Sequence, residues 1–367
     1  MSTGLYLHLP FCKQKCNYCD FASFAGQENL IDDYLHALAQ EAASLSPRRY
    51  DTLYVGGGTP SLLSCAQLEK LVACVQTNFA PISSFAESTV EANPESLTKE
   101  KINLLRGAGF NRFSVGLQSF NDDELKTLGR VHTTADFLRV WENLHAGGVQ
   151  NINVDLIAGL PGQTLNSFLT GLERLLSLSP QHISVYGLQI EEGTPFFERG
   201  IVCDQELMRT MLEQTRAHLR AAGYHHYEIS NFARPGFESK HNTLYWQYEP
   251  YIGLGSAAVS FTDGCRRQNT PDVREYIRRV RAGQSAVVFS ERLTAQAAEG
   301  EKLLVGLRQL DGVEISPVQQ EFFGRELEKH VRRGLLLREG KKVKLSSEGL
   351  FLANEVFRSF VAPFEEL

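Results

Sequence analysis

Six short runs of β-branched and apolar residues mark the first half of the chain, at positions 5–9, 52–56, 88–92, 112–117, 151–157 and 182–188. Each is followed by a longer stretch whose apolar residues recur at helical spacing. Leu68, Leu71, Val72, Val75 and Phe79 form one stripe, and Met208, Met211, Leu212, Thr215 and Leu219 another. Both read as core faces. A parallel strand pair needs a crossover, ordinarily a helix, so the six alternations predict an α/β fold: a parallel sheet wrapped by helices. Six units fall two short of a closed eight-stranded barrel, which predicts a partial (β/α)6 barrel of TIM type. In such barrels the chemistry collects where strands end and βα loops begin.

The pattern changes after about residue 225. Residues 224–251 are rich in aromatics, His, Asn and Gly and show no regular period. From Thr294 onward come amphipathic helical segments, then two short strand-like runs around Glu339-Gly340, as in a small winged-helix-like domain. The predicted organisation is a barrel over 1–225, a connecting segment over 226–290 and the winged-helix-like domain over 291–367.

A chain of 367 residues with 43% hydrophobic content can bury a sizeable core. Its net charge is −6, and its basic pairs (Arg266-Arg267, Arg278-Arg279, Arg332-Arg333, Lys341-Lys342) are diluted by acids, which argues against a nucleic-acid partner. No long basic recognition helix accompanies the winged-helix-like segment. With no basic-then-apolar leader and no apolar run long enough to span a bilayer, a cytoplasmic protein is expected. Seven cysteines, an odd number, then read as metal ligands or redox groups before disulfides. Cys65 and Cys74 lie nine helical steps of about 100° apart, on opposite faces of a helix. Cys203 and Cys265 have no close cysteine neighbour, and all four read as structural.

The remaining three carry the chemistry. Cys12-Lys-Gln-Lys-Cys16-Asn-Tyr-Cys19 follows the first predicted strand. Thiolates are the usual ligands of iron–sulfur clusters, and three ligands for the four irons of a [4Fe–4S] cube leave one iron open to a cosubstrate. Structural zinc is the other reading, with His8 as the nearest candidate for a fourth ligand. The C-x3-C-x2-C spacing on the loop after strand one resembles the radical S-adenosylmethionine superfamily. That resemblance implies a methionyl group chelating the open iron, and Tyr18, just before the third cysteine, near the adenine.

Gly56-Gly57-Gly58-Thr59-Pro60 closes strand two and lacks the Gly-Lys-Ser/Thr ending of a phosphate loop. Beside the cysteine loop it is similar to the superfamily's glycine-rich segment, which takes the methionyl amino group. Glu91 ends strand three, Gln118 follows strand four, Arg130 lies just beyond, and Asp155 lies in strand five. A cationic amino acid joined to a nucleoside asks for such a set: a carboxylate partner, a guanidinium for its own carboxylate, and acceptors for ribose hydroxyls.

A closer resemblance covers nearly the whole chain. Tyr6-Leu-His-Leu-Pro-Phe-Cys12, Gly56-Gly-Gly-Thr-Pro60, Glu91-Ala-Asn-Pro-Glu95, Ser114-Val-Gly-Leu-Gln-Ser-Phe120 and Asp155-Leu-Ile-Ala-Gly-Leu-Pro-Gly162 look like the oxygen-independent coproporphyrinogen III oxidase group, and within it the heme-chaperone branch. The resemblance implies that Tyr6, Gly58, Thr59, Glu91, Gln118, Arg130 and Asp155 line the S-adenosylmethionine site, with Gln189 at a further position. Two departures separate the chain from the oxidase pattern. Phe21 stands where that pattern has a fourth cysteine, and the chain begins only eleven residues before Cys12.

His241-Asn-Thr-Leu-Tyr245-Trp246 is similar to the heme-binding motif of that branch, with His241 as the residue facing heme. The resemblance implies a heme chaperone that passes heme to an acceptor protein, soluble or membrane-bound, and carries a [4Fe–4S] cluster and S-adenosylmethionine. It implies no coproporphyrinogen oxidase activity. A radical enzyme, the oxidase itself or a relative, is the alternative.

Overall fold

A computed structural model describes residues 2–361, so residues 362–367 of the predicted C-terminal domain lie outside the described residues. Strands β1 (Gly4–Leu9), β2 (Thr52–Gly57), β3 (Glu87–Ala92), β4 (Arg112–Gln118), β5 (Ile152–Ala158) and β6 (His182–Gly187) lie side by side in that order, each parallel to the next. Between them run helices α1 (Ile31–Ser44), α2 (Cys65–Asn78), α3 (Lys99–Ala108), α4 (Asp122–Thr127), α5 (Thr134–Ala146) and α6 (Leu165–Leu178). The short α7 (Pro195–Glu198) and the long α8 (Gln205–Ala221) follow β6. Ser64, Thr133 and Thr164 open α2, α5 and α6 with reciprocal capping boxes, which fix where each crossover turns back.

Along each strand the two faces differ in chemistry. Leu5, Leu7, Leu9, Leu53, Val55, Phe113, Val115, Ile152, Val154, Ile183 and Val185 point outward and are buried under the helices. The alternate positions, among them Tyr54, Glu91, Arg112, Ser114, Asn153, Asp155 and Ser184, face the lumen. The apolar core is therefore the shell between sheet and helices, and the lumen is polar.

The segment expected to be a connection over 226–290 instead extends the sheet at both edges. It contains α9 (Lys240–Trp246) and α10 (Val273–Arg281). The hairpin of β7 (His225–His226) and β8 (Asn231–Ala233) joins β6 antiparallel. At the other side β9 (Tyr251–Leu254) pairs parallel with β1, and β10 (Val259–Thr262), β11 (Cys265–Asn269) and β12 (Val287–Arg292) continue antiparallel. The sheet runs from β12 to β7 and, among the described residues, stays open.

A second core belongs to α11 (Ala295–Gly306), α12 (Pro317–Arg332), α13 (Ser347–Phe351) and α14 (Ala353–Arg358), with Leu303, Phe323, Leu327 and Phe360 at its centre. The expected pair β14 (Leu336–Glu339) and β15 (Lys342–Leu345) forms a three-stranded sheet with β13 (Val313–Glu314). Backbone bonds Ile229 N–H to Arg308 O and Leu310 N–H to Tyr227 O tie this unit to the barrel. Among the described residues no helix is long and apolar enough to cross a membrane.

Candidate functional site

The three cysteines sit on the loop leaving β1, and protein–protein bonds hold that loop in place. Cys12 N–H donates to Phe24 O, Phe24 N–H to Pro10 O, and Cys19 N–H to Cys16 O. Asn17 anchors the middle: its N–H reaches Leu128 O, its amide reaches Thr127 O at 2.8 Å, and its carbonyl accepts from Phe196 N–H. Tyr18 packs beside Leu128, Ile157, Leu160, Leu188 and Phe196, so it is a packing residue as well as a cavity residue.

The glycine run supports the loop from below. Gly58 N–H and Thr59 N–H donate to Leu9 O and Phe11 O, both at 2.8 Å. A Cβ on Gly58 would stand 2.7 Å from the Phe11 carbonyl oxygen, and Gly57 has φ +109°, with a Cβ position 2.5 Å from the His8 ring. Only glycine fits at either place.

A hydrogen-bond chain then links two of the thiols. Thr59 Oγ1–H points at Cys12 Sγ (3.5 Å), Asn93 Nδ2 donates to Thr59 Oγ1 (3.0 Å), and Arg130 Nη2 donates to Asn93 Oδ1 (2.7 Å). Arg130 also donates to Gly116 O at 2.7 Å, and its Nη1 lies 3.7 Å from Cys16 Sγ. Ser23 Oγ is 3.9 Å from Cys19 Sγ. Burial holds the Cys12 and Cys19 thiols above their ordinary pKa. Arg130→Ala is expected to weaken S-adenosylmethionine binding by about 1.5–3 kcal/mol, the scale of a hydrogen bond to a charged group. Iron content should not change, since Arg130 is no ligand; unchanged affinity in calorimetric titration would leave Arg130 a scaffold residue.

Glu91, Gln118, Asp155 and Gln189 line one cavity of about 1090 Å³ together with Tyr18 and Cys19. Glu91 accepts from Tyr54 O–H (2.6 Å) and Gly57 N–H (3.0 Å), and Asp155 accepts from Asn153 Nδ2 (2.8 Å). Burial raises the pKa of both carboxyls. Gln118 has φ +71° at a register shift in the β4–β5 pairing, a strained non-glycine backbone that turns its side chain at the strand end. Cys12, Cys16, Tyr6, Gly58, Thr59 and Arg130 stand outside the cavity lining. Tyr6 bonds His8 Nδ1 at 2.9 Å, its ring 6.1 Å from Tyr54.

The far wall comes from distant sequence. Met208 and Leu212, read as part of a core stripe, face the cavity from α8, opposite Phe351, Leu352 and Phe357 of the C-terminal unit. Arg209 and Arg216 stack on the Phe351 ring (4.6 and 4.3 Å), and Arg209 grips Glu348 with two bonds of 2.9 and 2.6 Å. Phe21, Tyr186 and Leu352 line the same cavity yet are 64%, 43% and 39% exposed, giving it an apolar rim. Asn93, Tyr54 and Arg112 escaped the sequence reading. The available signal was the two-residue period: Tyr54 precedes Gly56 by two, and Arg112 and Ser114 precede Gly116 on the same face.

His241 does not join this group. It is 1% exposed on α9, against the starting end of β2, with Nδ1 2.8 Å from Thr52 Oγ1 and Nε2 2.8 Å from Tyr245 Oη. Burial, with Arg112 nearby, lowers its pKa to about 3. Glu87 fixes the helix by accepting from the N–H groups of Lys240 and His241, both at 3.0 Å. Both ring nitrogens are taken by protein partners, so in this conformation the ring presents no lone pair to a heme iron. The motif is split between faces: Asn242 reaches the cavity, while His241 and Tyr245 close the floor.

The donor set fits a cluster with an open iron. All three thiols are free and partly accessible, and each has a hydroxyl or guanidinium nearby. Among the described residues no three His, Cys, Asp or Glu side chains gather tightly enough to hold a metal ion in this conformation.

Comparison with known proteins places the whole chain in a family. The radical SAM superfamily model matches residues 6–175. The heme chaperone HemW of Bacillus subtilis is 37% identical, over 97% of this chain and 98% of its own, and that of Escherichia coli 33%, over 98% of each. Among solved structures, the coproporphyrinogen III oxidase HemN of Escherichia coli, described as a radical SAM enzyme, superposes with a TM-score of 0.85 at 25% identity, covering 98% of this chain and 90% of its own. The likeness to the curated relatives runs from the cysteine loop to the C-terminal unit, and the chain belongs to the heme chaperone HemW family.

Proposed function

We propose that the chain is a cytoplasmic heme chaperone that binds heme in the lumenal cavity and passes it to an acceptor protein. Cys12, Cys16 and Cys19 hold a [4Fe–4S] cluster, and Glu91, Gln118, Arg130 and Asp155 hold S-adenosylmethionine. The cavity itself carries the reading. Small-molecule sites ordinarily occupy about 300–1,000 Å³, and this one, at about 1090 Å³, leaves room for a flat apolar ring beside a nucleoside. Its rim offers Phe21 and Tyr186 on one side and Phe351 and Leu352 on the other, surfaces suited to a macrocycle face.

Cys12, Cys16 and Cys19 would hold the cluster, which when bound would supply one-electron reducing chemistry. The chain's own residues orient S-adenosylmethionine: Arg130 beside Cys16 receives a carboxylate, and the buried Glu91 and Asp155 attract the ammonium and ribose side. A second reading, a radical enzyme acting on a porphyrinogen, is favoured by the likeness to the oxidase fold. Heme titration of the anaerobically reconstituted protein, paired with a coproporphyrinogen III assay, separates the two. Saturable heme binding that weakens in Phe21→Ser and Leu352→Ser, with no decarboxylated product, is expected. Catalytic formation of protoporphyrinogen would reject the chaperone reading, and unaltered affinity in both variants would move heme out of the cavity.

A further inference from the structure

Arg112 opens β4 and is 2% exposed; its charge acts on the buried carboxyls of Glu91 and Asp155, but it hydrogen-bonds neither of them. Its Nε is buried without a partner, and the side chain lines the lumenal cavity. A buried cation costs several kcal/mol unless something compensates it; Glu91 and Asp155 offset part of the charge from a distance and leave the hydrogen-bonding fork itself unfilled. Its lumenal neighbours Asn153 and His182 are satisfied: Asn153 Nδ2 donates to Ser114 Oγ (2.8 Å), and His182 spans Asn153 (2.6 Å) and Tyr227 (2.8 Å), while Arg308 Nε, also unbonded, belongs to a side chain that faces Glu228 at 3.6 Å. Two further groups in the same lining have donors to spare. Ser114 Oγ accepts a bond but donates none, and Asn242, whose backbone N–H bonds Ser239 Oγ, lines the cavity with its side-chain amide unbonded among the described residues.

We propose that Arg112, with Ser114 and Asn242, is a receptor for a carboxylate of the bound tetrapyrrole, one of its propionates. The inference rests on the heme reading above and adds where the ligand's charge is held. A guanidinium fork matches a carboxylate bidentately. A phosphate dianion would meet both Glu91 and Asp155 in the same cavity, whereas a carboxylate brings a single charge. The methionyl carboxylate of the cofactor belongs beside the cluster loop, where Arg130 touches Cys16; Arg112 has no bond to that loop.

The test titrates the full, cluster-loaded chain with iron protoporphyrin IX and with its dimethyl ester, following the porphyrin absorbance. Wild type should bind the diacid at least about 10-fold more tightly than the diester, the lower limit for hydrogen bonds to a charged group. Arg112→Met should bring diacid affinity down to that of the diester, and Arg112→Lys should recover part of it, with S-adenosylmethionine affinity unchanged in both. Equal affinity of wild type for diacid and diester overturns the proposal without any substitution. So does a diacid-to-diester ratio that Arg112→Met leaves intact, or a loss confined to S-adenosylmethionine, which would assign the guanidinium to the cofactor. Wild type that binds neither porphyrin rejects the heme reading itself, and this proposal with it.

Discussion

Cys16→Ala purified and reconstituted without oxygen is expected to lose its iron, from about four atoms per chain to near none, together with the visible charge-transfer absorbance. Cys16 faces Arg130 Nη1, and its carbonyl accepts from Cys19 N–H, so it sits in the middle of the ligand loop. The protein should remain folded, because the loop is held by Asn17, Phe24 and the Gly58–Thr59 backbone rather than by metal. Cys12→Ala and Cys19→Ala should behave alike. Cys65→Ala and Cys74→Ala, whose thiols belong to α2, should keep full iron. A Cys16→Ala protein with wild-type iron and spectrum would refute the ligand assignment.

His241→Ala is expected to act first on stability, lowering it by about 2–4 kcal/mol, since it strands the Thr52 and Tyr245 hydroxyls and empties a ring-sized space. Urea unfolding should show a lower midpoint at an unchanged slope. The wild-type ring has a pKa near 3, against an ordinary 6.5. The unfolded ring takes a proton that the folded ring refuses, so stability falls as pH drops from 6.5 toward 3. The variant should lose that share of the acid limb. A His241→Ala protein as stable as wild type, with an altered heme spectrum, would restore His241 as an iron ligand.

The six parallel strands were legible because each is a short β-branched run ahead of a long amphipathic stretch. The edge strands were not. β7 and β8 are two and three residues long, and β11, Cys265-Arg-Arg-Gln-Asn269, is polar throughout its middle and shows no apolar alternation. The seven-residue α9 is too short to show a period. In the site, the cysteines and strand-end polar groups could be read because they cluster within motifs. Arg112 could not, since an arginine opening a strand ordinarily reads as a solvent residue. Phe351 and Leu352 lie more than a hundred residues from β6, and no local pattern brings them to its mouth. The burial of His241 was not legible, because a motif gives residue types but not the direction of a helix face. Its neighbours Thr52 and Glu87 come from strands far upstream.

The pairing of Gly4 with Tyr251 joins residues 247 positions apart. At roughly 5–20 residues per second of synthesis, β1 waits about 12–50 s for the strand that covers its outer edge. Throughout that time β1 presents unpaired N–H and C=O groups beside Leu5, Leu7 and Leu9, a template for pairing with other nascent chains. Such high contact order makes the pairing of β1 with β9 slow, and yield during expression should depend on holding chaperones and on growth temperature more than on the stability of the finished fold.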